Sequence, residues 1–154
     1  HFAAAIERYD ARVIVLDRRN DVKHAVSRIT ARVLRERTGR WNRYEGSDEL
    51  GLIEVDPDDF AQRLAAVEDE KRVIRDFADS LGRPYLDLDY EDLLADPDAT
   101  FGRVFDLLGV RRVPVQGATL KNTSDDLGEV IANFDDLRSR YVGTPYEAMF
   151  DEGR

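Results

Sequence analysis

The chain has 154 residues, 42% of them apolar and 36% charged, with no cysteine and a net charge of −9. This composition fits a water-exposed globular domain and excludes disulfides, thiol catalysis and cysteine-ligated zinc. It also argues against a nucleic-acid partner, which would want a basic surface. The charge is uneven: residues 1–45 hold 11 Lys+Arg against 6 Asp+Glu, a local net of +5, and the remainder carries −14. A small anion would therefore seek the first segment, where Arg18, Arg19, Lys23, Arg28 and Arg32 cluster. An ordinary arginine-rich solvated helix face explains the same cluster equally well.

In chain order, residues 2–9 read as the end of a helix. Val13-Ile14-Val15-Leu16 is a short, β-branched, continuous run, the pattern of a strand buried on both faces. Asn20 or Asp21 caps a helix that continues to about Arg37. Val22, Val26, Ile29 and Val33 form its apolar stripe, and Thr38-Gly39 ends it. Arg40 to Asp56 is polar and reads as a loop, with Trp41 and Tyr44 as its large aromatics. A second helix follows from Asp58 to about Leu81, its apolar positions being Phe60, Leu64, Val67, Val73, Ile74 and Phe77. Gly82 serves as its C-cap. Tyr85 to Tyr90 alternates with period two and reads as a strand. Asp96-Pro97 opens a third helix with Phe101, Val104, Phe105 and Leu108 on its inner side. Arg111 to Ser124 is a loop. Two short helices, near Asp126–Ile131 and Asp135–Tyr141, precede a turn led by Pro145. This order argues for an α/β fold with a parallel sheet flanked by helices. Two strands are few for such a sheet, so further strands are expected from a longer parent or from assembly. No run approaches the roughly 18 apolar residues of a membrane span. A cytoplasmic location fits the lack of cysteine and of a secretory apolar segment.

The chemistry concentrates at the exit of the first strand. Arg19 stands at its carboxyl end, and Ser27 follows eight residues later on the next helix. Lys23 and Ser27 share a helix face opposite the apolar stripe. A guanidinium, an ammonium and a hydroxyl together suit a phosphate dianion. The carboxyl ends of parallel strands are where ligands bind in sheets of this kind. His24 lies within the same helix and fits a surface or capping role. Glu91 and Asp92 are adjacent carboxylates after the second strand. Successive strand residues point to opposite faces, so these two cannot easily flank one bond and instead support neighbouring elements.

Strand, arginine, eight-residue step and serine resembles the 3′-phosphate signature of sulfotransferases that use 3′-phosphoadenosine 5′-phosphosulfate (PAPS). A second likeness is Tyr85-Leu-Asp-Leu-Asp-Tyr90-Glu91-Asp92 with Asp96-Pro97 and a helix ending at Leu108-Gly109. A third is Leu120-Lys121-Asn-Thr-Ser followed by Asn133, Leu137 and Gly143-Thr144-Pro-Tyr146, similar to the ends of bacterial members. These segments run in family order over most of the chain.

The resemblance implies a P-loop-NTPase-like parallel sheet and transfer of a sulfuryl group from PAPS to a hydroxyl or amine, on a small molecule or a glycan, without a metal. It implies donor-binding roles for Arg19, Ser27, Tyr90 and Lys121. Tyr90 is similar to a tyrosine that contacts the adenine, and Lys121 looks like a basic residue that reaches the 3′-phosphate. Residues 1–154 are then expected to be the C-terminal portion of one domain. The 5′-phosphosulfate loop and the catalytic base would lie in an N-terminal segment of the same protein, so no catalytic residue is assigned within the chain. Two other readings stay open. One is a P-loop nucleotide kinase, although no G-x-x-x-x-G-K-[ST] loop is present. The other is a non-catalytic interaction domain that keeps the fold. The acceptor and the oligomeric state are not legible.

Overall fold

A computed structural model describes residues 2–44, 50–117 and 124–153. It is α/β and mostly helical, with one small sheet of two parallel strands. The elements are α1 (Phe2–Arg8), β1 (Ile14–Asp17), α2 (Asp21–Thr38), α3 (Pro57–Ser80), β2 (Leu86–Asp89), α4 (Tyr90–Ala95) and α5 (Pro97–Leu108). A 3₁₀ turn (Leu127–Glu129), α6 (Phe134–Ser139) and α7 (Glu147–Asp151) complete the order. Among the described residues no helix is long and apolar enough to cross a membrane. The chain divides into two compact units. One holds residues 1–19 and 69–116, and the other holds 20–68 and 117–154.

The second unit contains the hydrophobic core. Asn20 caps α2 by accepting the Lys23 N–H at 2.8 Å, and Gly39 closes the helix with φ +74°, a conformation glycine adopts without strain. Val22, Val26 and Ile29 are buried and Val33 is partly so, as the periodicity requires, with Ala25 filling the space between them. They pack with Phe60, Leu64 and Val67 from the first half of α3 and with Leu127, Ile131, Phe134, Leu137 and Phe150. Tyr141 meets Phe60 edge-on at 5.4 Å between ring centroids, one of several aromatic contacts in this core. Residues 40–56, read as loop, include a strand-like rung at Ile53. Ile53 forms a parallel bridge with Ile131, and Asn133 extends it by pairing its side-chain amide with the backbone of Val55 at 3.0 and 2.9 Å. The segment led by Pro145 forms the short helix α7.

In the first unit the register pairs Ile14 with Leu86, Val15 with Asp87, Leu16 with Leu88 and Asp17 with Asp89. The expected burial of β1 on both faces is not found. Val15 is buried, but Ile14 and Leu16 are 38% and 56% exposed. Among the described residues no helix buries that side of β1. The second half of α3 also departs from its pattern: Val73, Ile74 and Phe77 are exposed, while Ala78 is buried. Lys71 and Arg75 turn toward the strands instead, because Asp17 and Asp87 on that face need counter-charges. Similarly, in α5 the buried positions are Thr100 and Gly102, and Leu108 is exposed. Arg103 of α5 donates to the Asp87 carbonyl at 2.9 Å. Since Leu86 gives its N–H to Val13, the Asp87 backbone points to the opposite edge of β2, which Arg103 caps.

Candidate anion site at the strand ends

β1 and β2 are parallel and in register, so their carboxyl ends lie side by side. Asp17 and Asp89 are partners in the last rung. Beyond that rung β1 continues into Arg18 and Arg19. β2 turns directly into α4, so Tyr90 is the first residue of a helix rather than the last of a strand. Asp89 is its N-cap position, yet its side chain does not cap the helix. It reaches Arg19 instead.

Arg19 is half exposed, with 54% of its side chain open to solvent. Its Nη1 donates to Asp89 Oδ2 at 2.9 Å and its Nη2 to Asp92 Oδ1 at 2.8 Å. Its backbone N–H donates to Glu91 Oε2 at 3.0 Å. The hydrogen bond that Arg19 donates to Asp92, with the charges of Asp92 and Asp89, raises the guanidinium pKa above its ordinary value against the opposing effect of desolvation. Arg18 pairs with Glu91 at 3.7 Å and lays its guanidinium over the ring of Tyr90, 5.0 Å from the centroid. Beneath them Asp17 accepts the Arg18 N–H at 2.6 Å and pairs with Lys71 and Arg75, each at 3.1 Å. Arg75 also binds Asp87 at 2.8 Å, and Lys71 donates to the Arg18 carbonyl. Burial alone would raise the Asp17 pKa, but the hydrogen bonds from Arg75, Lys71 and the Arg18 N–H outweigh it and lower the value.

The cluster thus combines four cations (Arg18, Arg19, Lys71, Arg75) with five carboxylates (Asp17, Asp87, Asp89, Glu91, Asp92). It is an ionic lattice tying β1, β2, α3 and α4 together. It is not a preformed dianion cradle. The sequence makes Glu91 and Asp92, in the first turn of α4, supports for neighbouring elements. Their target is the exit of β1, some seventy residues earlier in the chain.

Of the residues named from the sequence, Arg19 and Tyr90 lie together in the first unit, at the two strand ends. Ser27 belongs to the second unit, half-buried on α2, where its carbonyl accepts the Thr30 hydroxyl at 2.9 Å. Lys121 lies outside the described residues. On α2 the His24 imidazole nitrogen Nε2 accepts from Arg28 Nε at 3.3 Å, a local helix contact. In the same unit Arg35 covers the Trp41 ring at 4.4 Å. Among the described residues no group of three metal-binding side chains converges. Compared with family models, curated proteins and solved structures, the chain matches none of them.

Proposed function

We propose that this chain supplies the 3′-phosphate and adenosine side of a PAPS-dependent sulfotransferase, an enzyme moving a sulfuryl group to a hydroxyl or amine acceptor. The observation that carries this reading is the exposed Arg19 guanidinium at the carboxyl ends of two parallel strands, with Tyr90 opening the neighbouring element. Anionic ligands are commonly received at this end of a parallel sheet. The fold reading that goes with it is that β1 and β2 are neighbours in a larger P-loop-NTPase-like sheet. The open Ile14 and Leu16 side chains on β1 support it, since parallel strands are ordinarily covered on both faces. In this reading Arg19 holds the 3′-phosphate. Ser27 and Lys121 join it on the strength of their spacing in the sequence, and Tyr90 offers its ring to the purine. A 3′-phosphate is remote from the reacting sulfur, so its binding energy serves to position the donor.

The test is calorimetric titration of the chain with adenosine 3′,5′-bisphosphate. Arg19→Ala should weaken binding by roughly ten- to a hundredfold, the usual weight of a charge-assisted hydrogen bond lost from a phosphate. Equal affinity in both proteins ends the assignment.

A second reading is favoured by one feature. The guanidinium of Arg19 already has two carboxylate partners, and Arg18 already covers Tyr90. Both are what a structural lattice in a non-catalytic interaction domain requires. Such a domain would bind no adenosine 3′,5′-bisphosphate at millimolar concentration, and sulfate transfer from labelled PAPS would be absent.

A further inference from the structure

The carboxylates around Arg19 oppose the dianion that the reading above assigns to it. Asp89 and Asp92 occupy one N–H of each terminal nitrogen, and Glu91 takes the backbone N–H. Three negative charges therefore stand within one side chain's reach of the proposed phosphate position. A phosphate approaching Arg19 meets that charge, and it competes with Asp89 and Asp92 for the two terminal nitrogens.

We propose that Asp89 and Asp92 form an internal carboxylate clamp that competes with the ligand's 3′-phosphate for Arg19, and that this exchange sets the affinity of the site. The inference rests on Arg19 being the phosphate ligand.

Three features of the structure support exchange over permanence. First, Asp92 and Arg19 are each about half exposed, at 50% and 54% of their side chains, so water reaches the pair and lowers the cost of parting it. Second, Asp89 leaves its position as helix cap unused in favour of Arg19. When a ligand takes the guanidinium, Asp89 has the first-turn N–H groups of α4 as an alternative, so its charge need not be stranded. Third, Glu91 pairs with Arg18 as well as with the Arg19 backbone, so the strand exit stays anchored while the Arg19 side chain is released. The double charge of the clamp makes it selective. A weakly charged anion cannot displace two carboxylates, whereas a phosphate dianion replaces their charge fully.

The experiment compares the wild-type chain with Asp89→Asn, Asp92→Asn and the double variant. Each protein is titrated with adenosine 3′,5′-bisphosphate and with adenosine 5′-monophosphate. Asparagine keeps the shape and one acceptor of aspartate, and far-ultraviolet circular dichroism confirms that each variant is folded. The double variant is expected to bind the bisphosphate roughly three- to thirtyfold more tightly than wild type, the summed weight of two exposed ion pairs. Each single variant should fall between, and affinity for the monophosphate, which lacks the 3′ group, should not change. Unchanged or weaker bisphosphate binding in the double variant, with Arg19→Ala still impaired, overturns the clamp and leaves Arg19 as the phosphate ligand. Binding that Arg19→Ala does not weaken overturns both. An unliganded wild type beside a double variant that binds supports the clamp in its strongest form, and no binding by any of the proteins overturns both claims.

Discussion

Asn133 offers the sharpest test of how the second unit is held. Among the described residues the segment around Ile53 pairs through a single bridge, to Ile131. Ile53 N–H donates to the Val130 carbonyl at 2.9 Å, Ala132 N–H donates to the Ile53 carbonyl at 2.8 Å, and there the backbone pairing stops. Asn133 carries it one step further with its side chain, accepting the Val55 N–H at 3.0 Å and donating to the Val55 carbonyl at 2.9 Å. Val55 is 1% exposed, so with Asn133 in place neither of its backbone groups faces solvent. Asn133→Ala strands a buried donor and a buried acceptor, each costing about 1–3 kcal/mol. Because Asn133 itself is only half-buried, part of that is recovered by water entering its place, and the expected loss is about 2–4 kcal/mol. Asn133→Asp separates the two bonds. It keeps the acceptor for Val55 N–H but points a carboxylate oxygen at the Val55 carbonyl. Only the protonated acid restores a donor there, so its folded pKa lies above the unfolded value of about 3.9. The folded state then binds more protons than the unfolded state, and stability falls as pH rises through that window. Urea unfolding followed by circular dichroism should show both variants about 2–4 kcal/mol below wild type at pH 7, and the aspartate variant recovering toward pH 4. Hydrogen exchange at the Val55 amide supplies a local readout, with protection lost in the alanine variant and kept in the aspartate variant. Losses under about 0.5 kcal/mol, or identical pH profiles for the two variants, would refute the two-bond account.

Two further outcomes follow from groups with displaced titration. Asp17→Asn should destabilise by about 1–3 kcal/mol at pH 7, because it strips Lys71 and Arg75 of a partner that is largely out of solvent. The wild-type Asp17 pKa is lowered, so its contribution is present above the unfolded value of about 3.9 and disappears as pH falls through the folded one. The gap between the two proteins should therefore close below pH 4, and a gap independent of pH would show that the loss is one of packing alone. Tyr146 is pushed up to about 12 by burial and by its hydrogen bond to Glu68. A raised pKa contributes stability below the unfolded value of about 10 and loses it as pH climbs through the folded one. Tyr146→Phe should thus cost about 1 kcal/mol near neutrality, with that cost shrinking between pH 10 and 12. Ultraviolet absorbance of the phenolate gives the check: Tyr85 and Tyr141 are also shifted upward, and the late phase of the variant should be smaller than that of wild type by one tyrosine.

The second unit was legible because its determinants are local. Asn20, the Val22-Val26-Ile29 stripe and Gly39 specify a cap, a face and a stop within one helix, and the structure has all three. The Ile53–Ile131 bridge was not legible, since a single strand-like rung leaves no alternation to detect. In the first unit the patterns themselves misled. Val73, Ile74 and Phe77 look like an apolar face by composition. Yet Lys71, Arg75 and Ala78, spaced four and three residues apart, form the face turned to the strands. The clue was available in β2: Asp87 alternates with Leu86 and Leu88, so its side of the strand must meet cations. Likewise Tyr90-Glu91-Asp92 carries the acidic first turn of a helix, a signal outweighed by the strand alternation that precedes it.

The candidate site displays the deeper reason for this asymmetry. An arginine after a strand can be read from a few neighbours, and its chemistry suggests an anion. Whether that anion is a ligand or part of the protein depends on what the other strand delivers to the same end of the sheet, and parallel pairing delivers it from about seventy residues away. Here it delivers Asp89, Glu91 and Asp92, whose charges exceed those of Arg18 and Arg19. The net charge of the first 45 residues therefore says little about the potential at Arg19. Pairing to β2 brings acidic residues against it, and these fix what the guanidinium faces before any ligand arrives. If a phosphate binds there, it does so by exchange within an existing ionic lattice. The affinity is then a difference between two sets of charge-assisted bonds, which substitutions on the carboxylate side should move in the opposite direction from Arg19→Ala.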